Sequence, residues 1–152
     1  MRKTMIAAAL AACLLGGSVW AEGYVPPEVP GVWQEISKSD MDTLFFDTSR
    51  CTYDPAADTA VVWMRTDTEN LKETYVTQYT IDFGAGRIRT DRKGWLYKNG
   101  RVRQLVNASM TMAIQPGTYG EKLAEAVAAY VDRDGQRAAR QTGGAEPAEG
   151  EA

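Results

Sequence analysis

The chain contains no histidine. That absence removes histidine-based nucleophile pairs and imidazole metal sites from the chemistry open to it. Cysteine is nearly as scarce, with Cys13 and Cys51 the two in 152 residues. Cys13 sits in an apolar N-terminal run, and loss of that run leaves Cys51 alone, so no internal disulfide can form. A lone cysteine in an exported protein is either a small buried hydrophobe or a bridge to another chain, and burial is the expectation here. Beyond the first 21 residues no apolar stretch is long enough to cross a bilayer as a helix. Nor is there an excess of base: 17 Lys and Arg stand against 20 Asp and Glu. The whole chain therefore carries no electrostatic footprint for nucleic acid.

What is present begins with export. Arg2 and Lys3 form a basic start, Met5 to Gly17 is almost wholly apolar, and Val19-Trp20-Ala21 offers the residues a signal peptidase reads. Residues 1–21 are expected to be a signal peptide, cleaved after Ala21, because the apolar core is too short for a spanning helix. Removal of Arg2 and Lys3 takes the mature net charge from −3 to −5. The alternative is a lipoprotein: Leu10-Ala11-Ala12-Cys13 resembles a lipobox that would lipidate Cys13. The expected location is the periplasm, the cell surface or the medium, or the membrane if Cys13 is the anchor. The length suits one domain with a core of its own.

In the mature chain, Glu22 to Pro30 holds Pro26, Pro27 and Pro30 and reads as a Pro-rich extended leader with no packed structure. A single α+β domain is expected over residues 31–135. Val32, Trp33 and Ile36 open a first strand; Thr43 to Asp47 gives a second, carrying on towards Ser49. Asp54-Pro55-Ala56-Ala57-Asp58 is a turn. Thr59 to Arg65 is apolar on both faces, which marks a central strand. Glu73 to Phe83 is the longest clean alternation, with Tyr75, Tyr79, Ile81 and Phe83 on the face assigned to the core. Gly84-Ala85-Gly86 permits a reversal, Arg87 to Arg92 and Trp95 to Lys98 run back, and Asn99-Gly100 is a strong hairpin signal. The period then changes. Thr118 and Glu121 match a helix capping box, and Leu123, Ala126, Val127, Tyr130 and Val131 make one apolar stripe, with Gly135 as the expected stop. Residues 136–152 lack periodicity and read as a disordered tail. The expected fold is an antiparallel β-meander of about six to seven strands with one C-terminal amphipathic helix packed on one face.

No residue pattern points to catalysis. Ser37-Lys38-Ser39 reads as a solvated turn; Asp40 with Asp42, and Asp132-Arg133-Asp134-Gly135, read as a turn and a helix end rather than cation loops. The expectation is a non-enzymatic chain with no cofactor and no metal. One local feature stands out. Between Gly84 and Leu105, Arg87, Arg89, Arg92, Lys93, Lys98, Arg101 and Arg103 face a single acid, Asp91, with Trp95 and Tyr97 interleaved. These nine residues are the candidate site for an anionic partner, a protein or an anionic glycan or lipid at the cell surface. Positive charge on exposed strands also discourages edge-to-edge aggregation, so the same residues serve a solubility role equally well.

The order of Trp33-Gln34-Glu35-Ile36, Phe46-Asp47, Val61 to Arg65, Tyr79 to Phe83, and Ile114 to Glu121 leading into a helix resembles the surface-adhesin protein E-like domain family. The likeness covers Gly31 to about Asp132 and rests on structural landmarks. It implies an antiparallel sheet with a C-terminal helix, displayed at or near a bacterial cell surface, and a binding role, since the namesake adhesins bind host matrix proteins. Those adhesins tie helix to sheet by a disulfide, and this helix has no cysteine. Three functional readings follow: an adhesin-like exported binding protein acting through the basic strip and sheet edge, an accessory envelope protein binding a partner of the same cell, or a carrier of a small ligand between sheet and helix.

Overall fold

The computed structural model describes residues 24–143. The expected signal peptide, the Cys13 alternative and the last nine residues of the expected tail lie outside the described residues. Among the described residues eight antiparallel strands form one sheet: β1 (Trp33–Lys38), β2 (Asp42–Asp47), β3 (Thr52–Asp54), β4 (Thr59–Thr68), β5 (Glu73–Asp82), β6 (Arg87–Lys98), β7 (Arg101–Val106) and β8 (Met110–Ala113). Two helices follow, α1 (Tyr119–Tyr130) and α2 (Arg133–Gly143). The sheet runs β1-β2-β4-β5-β6-β7, with β3 beside β2 on β4 and β8 beside β7 on β6.

Local chemistry explains the turns. Asn99 and Gly100 both take positive φ, 53° and 68°, the conformation a two-residue hairpin needs, and they join β6 to β7. At the β5–β6 reversal the Asp82 carboxylate accepts the Ala85 N–H at 2.8 Å. Where the second strand was expected to run on towards Ser49, the chain instead coils into a 3-10 turn, Thr48–Arg50. The cause is Asp47, whose buried carboxylate accepts the Val32 and Ser49 amides at 3.0 and 2.9 Å and the Arg50 guanidinium. Gly31 approaches the same carboxylate so closely, at φ +136°, that a Cβ there would lie 2.5 Å from it.

One face of the sheet packs on α1. Phe46, Ala60, Val62, Met64, Ile81 and Ile88 meet Leu123, Ala124 and Val127, all buried. Fully burying an aliphatic or aromatic side chain of this size contributes about 1.5–3 kcal/mol, so this layer dominates stability. The expected apolar stripe is the one that faces the sheet. Tyr130, at its exposed end, still stacks edge-on to Phe46 at 5.5 Å and donates from its hydroxyl to the Thr48 carbonyl. Tyr79 and Phe83 pack against this core and Ile81 lies inside it, but Tyr75 falls outside it, near the β6–β7 hairpin.

The opposite face corrects the reading of the leader. Residues 24–30 are extended, with Val25, Pro26, Glu28 and Pro30 exposed, but Tyr24, Pro27 and Val29 are partly or fully buried. Val29 is buried, the Trp33 indole donates to its carbonyl at 2.9 Å, and the Tyr24 hydroxyl meets Thr74 Oγ1 at 2.8 Å. Thr74 in turn donates to Asp67 at 2.6 Å, Arg65 donates to Asp67 at 2.9 Å, and Arg65 also reaches the Pro27 carbonyl. This buried polar chain is satisfied within itself, which makes it a directional lock rather than a cost.

The C-terminal end differs from expectation too. Gly135 does not stop a helix. The chain turns at Asp132, with φ 49°, and continues as α2, so residues 136–143 of the expected tail are helical. α2 is tied down by charge instead of apolar packing. Arg133 grips the buried Asp58 with two bonds of 2.7 and 2.6 Å, Arg137 approaches to 3.4 Å, and the Arg133 guanidinium lies 4.9 Å from the Phe83 ring centre. The Arg133 bonds, aided by that of Tyr53, hold the Asp58 carboxyl below its usual range against its burial.

Candidate functional site

The nine residues singled out in the sequence do not form one surface. Pairing in β6 and β7 sets Lys98 opposite Arg101 and Leu96 opposite Arg103, so Lys98, Arg101 and Arg103 share a face with Tyr75 and Leu96. They surround an open recess of about 720 Å³ that also includes Glu73. Arg87 and Arg89 flank the core residue Ile88 and so project from the opposite face, at the other end of the strand, opposite Asp82 and Thr80. Arg89 is occupied there by Asp91 at 3.1 Å and by Thr80. Arg92 and Lys93 are exposed where the β5–β6 register slips between Thr77 and Tyr79. Trp95 and Tyr97 lie opposite Val76 and Thr74 on the leader-covered face. The basic residues are therefore split between two faces and two ends, and the aromatic pair does not accompany Arg101 and Arg103.

What the fold does bring together is the recess at the β6–β7 hairpin. Lys98 pairs with the buried Glu73, which also accepts from Tyr75. Those two hydrogen bonds, Lys98 first, pull the Glu73 carboxyl below its ordinary value despite burial. One cation is thus spent on an internal acid. Arg101 and Arg103 make no ion pair among the described residues. β7 is the last strand of the sheet order, and all six of its residues are exposed except Leu105, which is half-buried. Val102 and Val106 are 57% and 82% exposed on this strand, an open apolar-and-basic edge.

A second site lies on the helix side, and the residue pattern alone did not locate it. A cavity of about 370 Å³ opens between the sheet and the first turn of α1. Met64, Tyr79, Ile88, Met112, Gly120 and Leu123 line it, together with residues 113–115 and 118–119. No charged side chain is among these residues. Burial alone raises the Tyr79 phenol above its usual value, and its hydroxyl makes no hydrogen bond among the described residues. Gly120 is the second residue of α1, in its first turn. A Cβ there would sit in ordinary contact, 3.5 Å from Ile88 Cγ2 and 3.6 Å from Thr118 Oγ1. Larger side chains at position 120 would meet the cavity wall. The helix start beside it follows the expected capping box in part. Thr118 Oγ1 accepts the Glu121 N–H at 3.3 Å, while Glu121 reaches one residue further back than expected, to the Gly117 N–H at 2.6 Å. β8, whose Met112 and Ala113 close one side, went unassigned in the sequence because a four-residue run offers too few alternations to read.

Cys51 is half-buried against the core, and burial together with the nearby Asp47 carboxylate pushes its thiol up to about 11, away from the reactive thiolate. Among the described residues, no group of three or more Cys, Asp or Glu side chains is arranged to hold a metal ion, and no helix is long and apolar enough to cross a membrane. No family model, curated protein or solved structure matches this chain.

Proposed function

We propose that the mature chain is a non-enzymatic exported binding protein of the cell envelope or surface, adhesin-like in manner, that captures an acidic extended segment of a partner protein on the open β7 edge. One observation carries this reading: among the described residues β7 pairs on one side alone and presents Arg101 and Arg103, without ion-pair partners, along one face. An added strand would satisfy the outer backbone groups of β7, and its alternate side chains would fall beside those two arginines. Acidic residues at alternate positions complement them; Val102 and Val106 on the other face favour β-branched or apolar neighbours. The anionic glycan and lipid classes fit less well, because the cations that would have made a broad basic surface are divided between two faces.

The test uses the mature protein and a labelled peptide of alternating Glu and Thr, with a Gln-Thr peptide as the neutral control. Fluorescence anisotropy is expected to show binding of the Glu peptide that weakens as salt rises, since the charges are exposed. Arg101→Glu with Arg103→Glu should abolish that binding, while Arg87→Glu with Arg89→Glu should change it little. Equal binding by all three proteins overturns the reading.

A further inference from the structure

The cavity at the first turn of α1 is a separate feature from the β7 edge, and we propose that it is a binding site for a small, uncharged, mainly apolar molecule that carries one hydroxyl or carbonyl group. Four observations converge on that class. The volume, about 370 Å³, sits at the small end of ligand pockets and is too narrow for a partner helix roughly 10 Å across. The lining is apolar apart from the Tyr79 phenol and, where the cavity meets the exposed 113–119 segment, Gln115, Thr118 and Tyr119. The absence of charge in the wall disfavours an ionised ligand, which would lose its hydration without a counter-ion. Of the polar groups, Thr118 is occupied: it caps the helix and donates to the Gln115 carbonyl. Tyr119 is occupied as well, donating to Asp42. Tyr79 is left over. Its hydroxyl has no partner within the protein among the described residues, so it is free to bond a ligand hydroxyl or carbonyl in the cavity.

The fourth observation is Gly120. Its backbone is regular helix, so no turn geometry calls for glycine there. Any larger residue would extend from a Cβ already in contact with Ile88, a cavity-lining side chain. The missing side chain is what leaves the first turn of α1 open to the space. Met64 and Met112 on two walls are the flexible, polarisable side chains that adapt to ligands of varied shape.

The experiment titrates the mature protein, labelled with ¹³C at methionine methyls, with 1-naphthol and with naphthalene, followed by NMR. Saturable shifts of the Met64 and Met112 methyls, with the exposed Met41 unmoved, are expected for both compounds. Gly120→Leu should weaken both by more than about tenfold while far-UV circular dichroism stays native. If that variant does not fold, Met112→Trp, at an exposed position of the edge strand β8 paired with the cavity-lining Ile88, fills the same space, with the Met64 methyl as the reporter. Tyr79→Phe should weaken 1-naphthol about fivefold and leave naphthalene unchanged. Absence of a saturable shift in the wild type overturns the site. Undiminished binding in a folded filling variant overturns its location, and equal response of the two compounds to Tyr79→Phe overturns the assigned polar group. None of these results depends on whether β7 captures a peptide.

Discussion

β2 and β3 lie end to end against β4, and β7 and β8 lie end to end against β6. In each case one long strand serves two short ones, and the short pair is separated by a three- or four-residue joint. At the first joint Asp47 is fully buried and each of its bonds is made: Val32, Ser49 and Arg50 all donate to it. β1 pairs outside β2, and Tyr130 of α1 reaches over to the Thr48 carbonyl. At the second joint the polar residue is Asn107. Its backbone N–H reaches the Arg92 carbonyl at 3.0 Å, but its side-chain Nδ2 is buried with no partner among the described residues. Among the described residues no strand pairs beyond β7 or β8. The same topological device is closed and fully bonded at one place, and open and incompletely bonded at the other. Backbone connectivity does not decide which part of a sheet is scaffold; the partnering of the joint does.

The sharpest way to break the comparison is Asp47→Ala. It leaves two amides and a hydroxyl without their acceptor inside the protein, and urea unfolding should show a loss of roughly 3 kcal/mol. A loss below about 1 kcal/mol would mean that the first joint is held by its neighbours, not by its own side chain.

Acid sharpens the same contrast. Burial pushes the Asp47 carboxyl up, but the bonds from Ser49, Arg50 and Val32 outweigh it and leave it below its usual value of 3.8. A carboxyl with a lower value folded than unfolded lends stability that is complete above the unfolded value. That stability is lost as pH falls through the folded value. Asp58, held down first by Arg133, acts in the same direction. Thermal melts of the wild type should therefore fall steeply below about pH 4, and those of Asp47→Asn less steeply. Parallel acid limbs would remove Asp47 from the account.

The contrast also shows what a sequence can carry. The Glu73 to Phe83 alternation was legible, and Ile81 and Tyr79 face the core as their period requires. The polar start of that strand was not. Thr74, on the other face, and Glu73, on the same face as Tyr75, are both buried, because what covers Thr74 includes Tyr24, fifty residues earlier, and what pairs Glu73 is Lys98. Long-range polar partners leave no local period. The α1 stripe was readable from its 3.6-residue repeat, whereas α2 has no apolar stripe and is anchored by Arg133 and Arg137 on Asp58, a contact across 75 residues. The run of cations was visible by count, but the register slip in β5–β6 and the pleat decide which face each one takes, and neither is written in the count. The cavity was foreseen as a possibility between sheet and helix; its place depended on β8, four residues long.

The finest test sets Gly94 against Asn107. A Cβ at position 94 would lie 2.6 Å from Asn107 Nδ2 and 3.3 Å from the Val76 carbonyl oxygen. The side chain has to give way, since the strand backbone is held by pairing on both sides. Gly94→Ala should therefore cost about 1–2 kcal/mol by overpacking. Asn107→Ala removes a buried donor that has no bond to lose, so it should change stability by less than about 0.5 kcal/mol, the opposite of the response at Asp47. In the double variant the added methyl enters the space the carboxamide leaves, and most of the Gly94→Ala loss should return, a coupling of about 1 kcal/mol in urea unfolding. Simple additivity of the two changes would mean that the second joint yields without resistance. Both joints would then differ in exposure alone, and the unpartnered amide would have no part in keeping the β7 edge open.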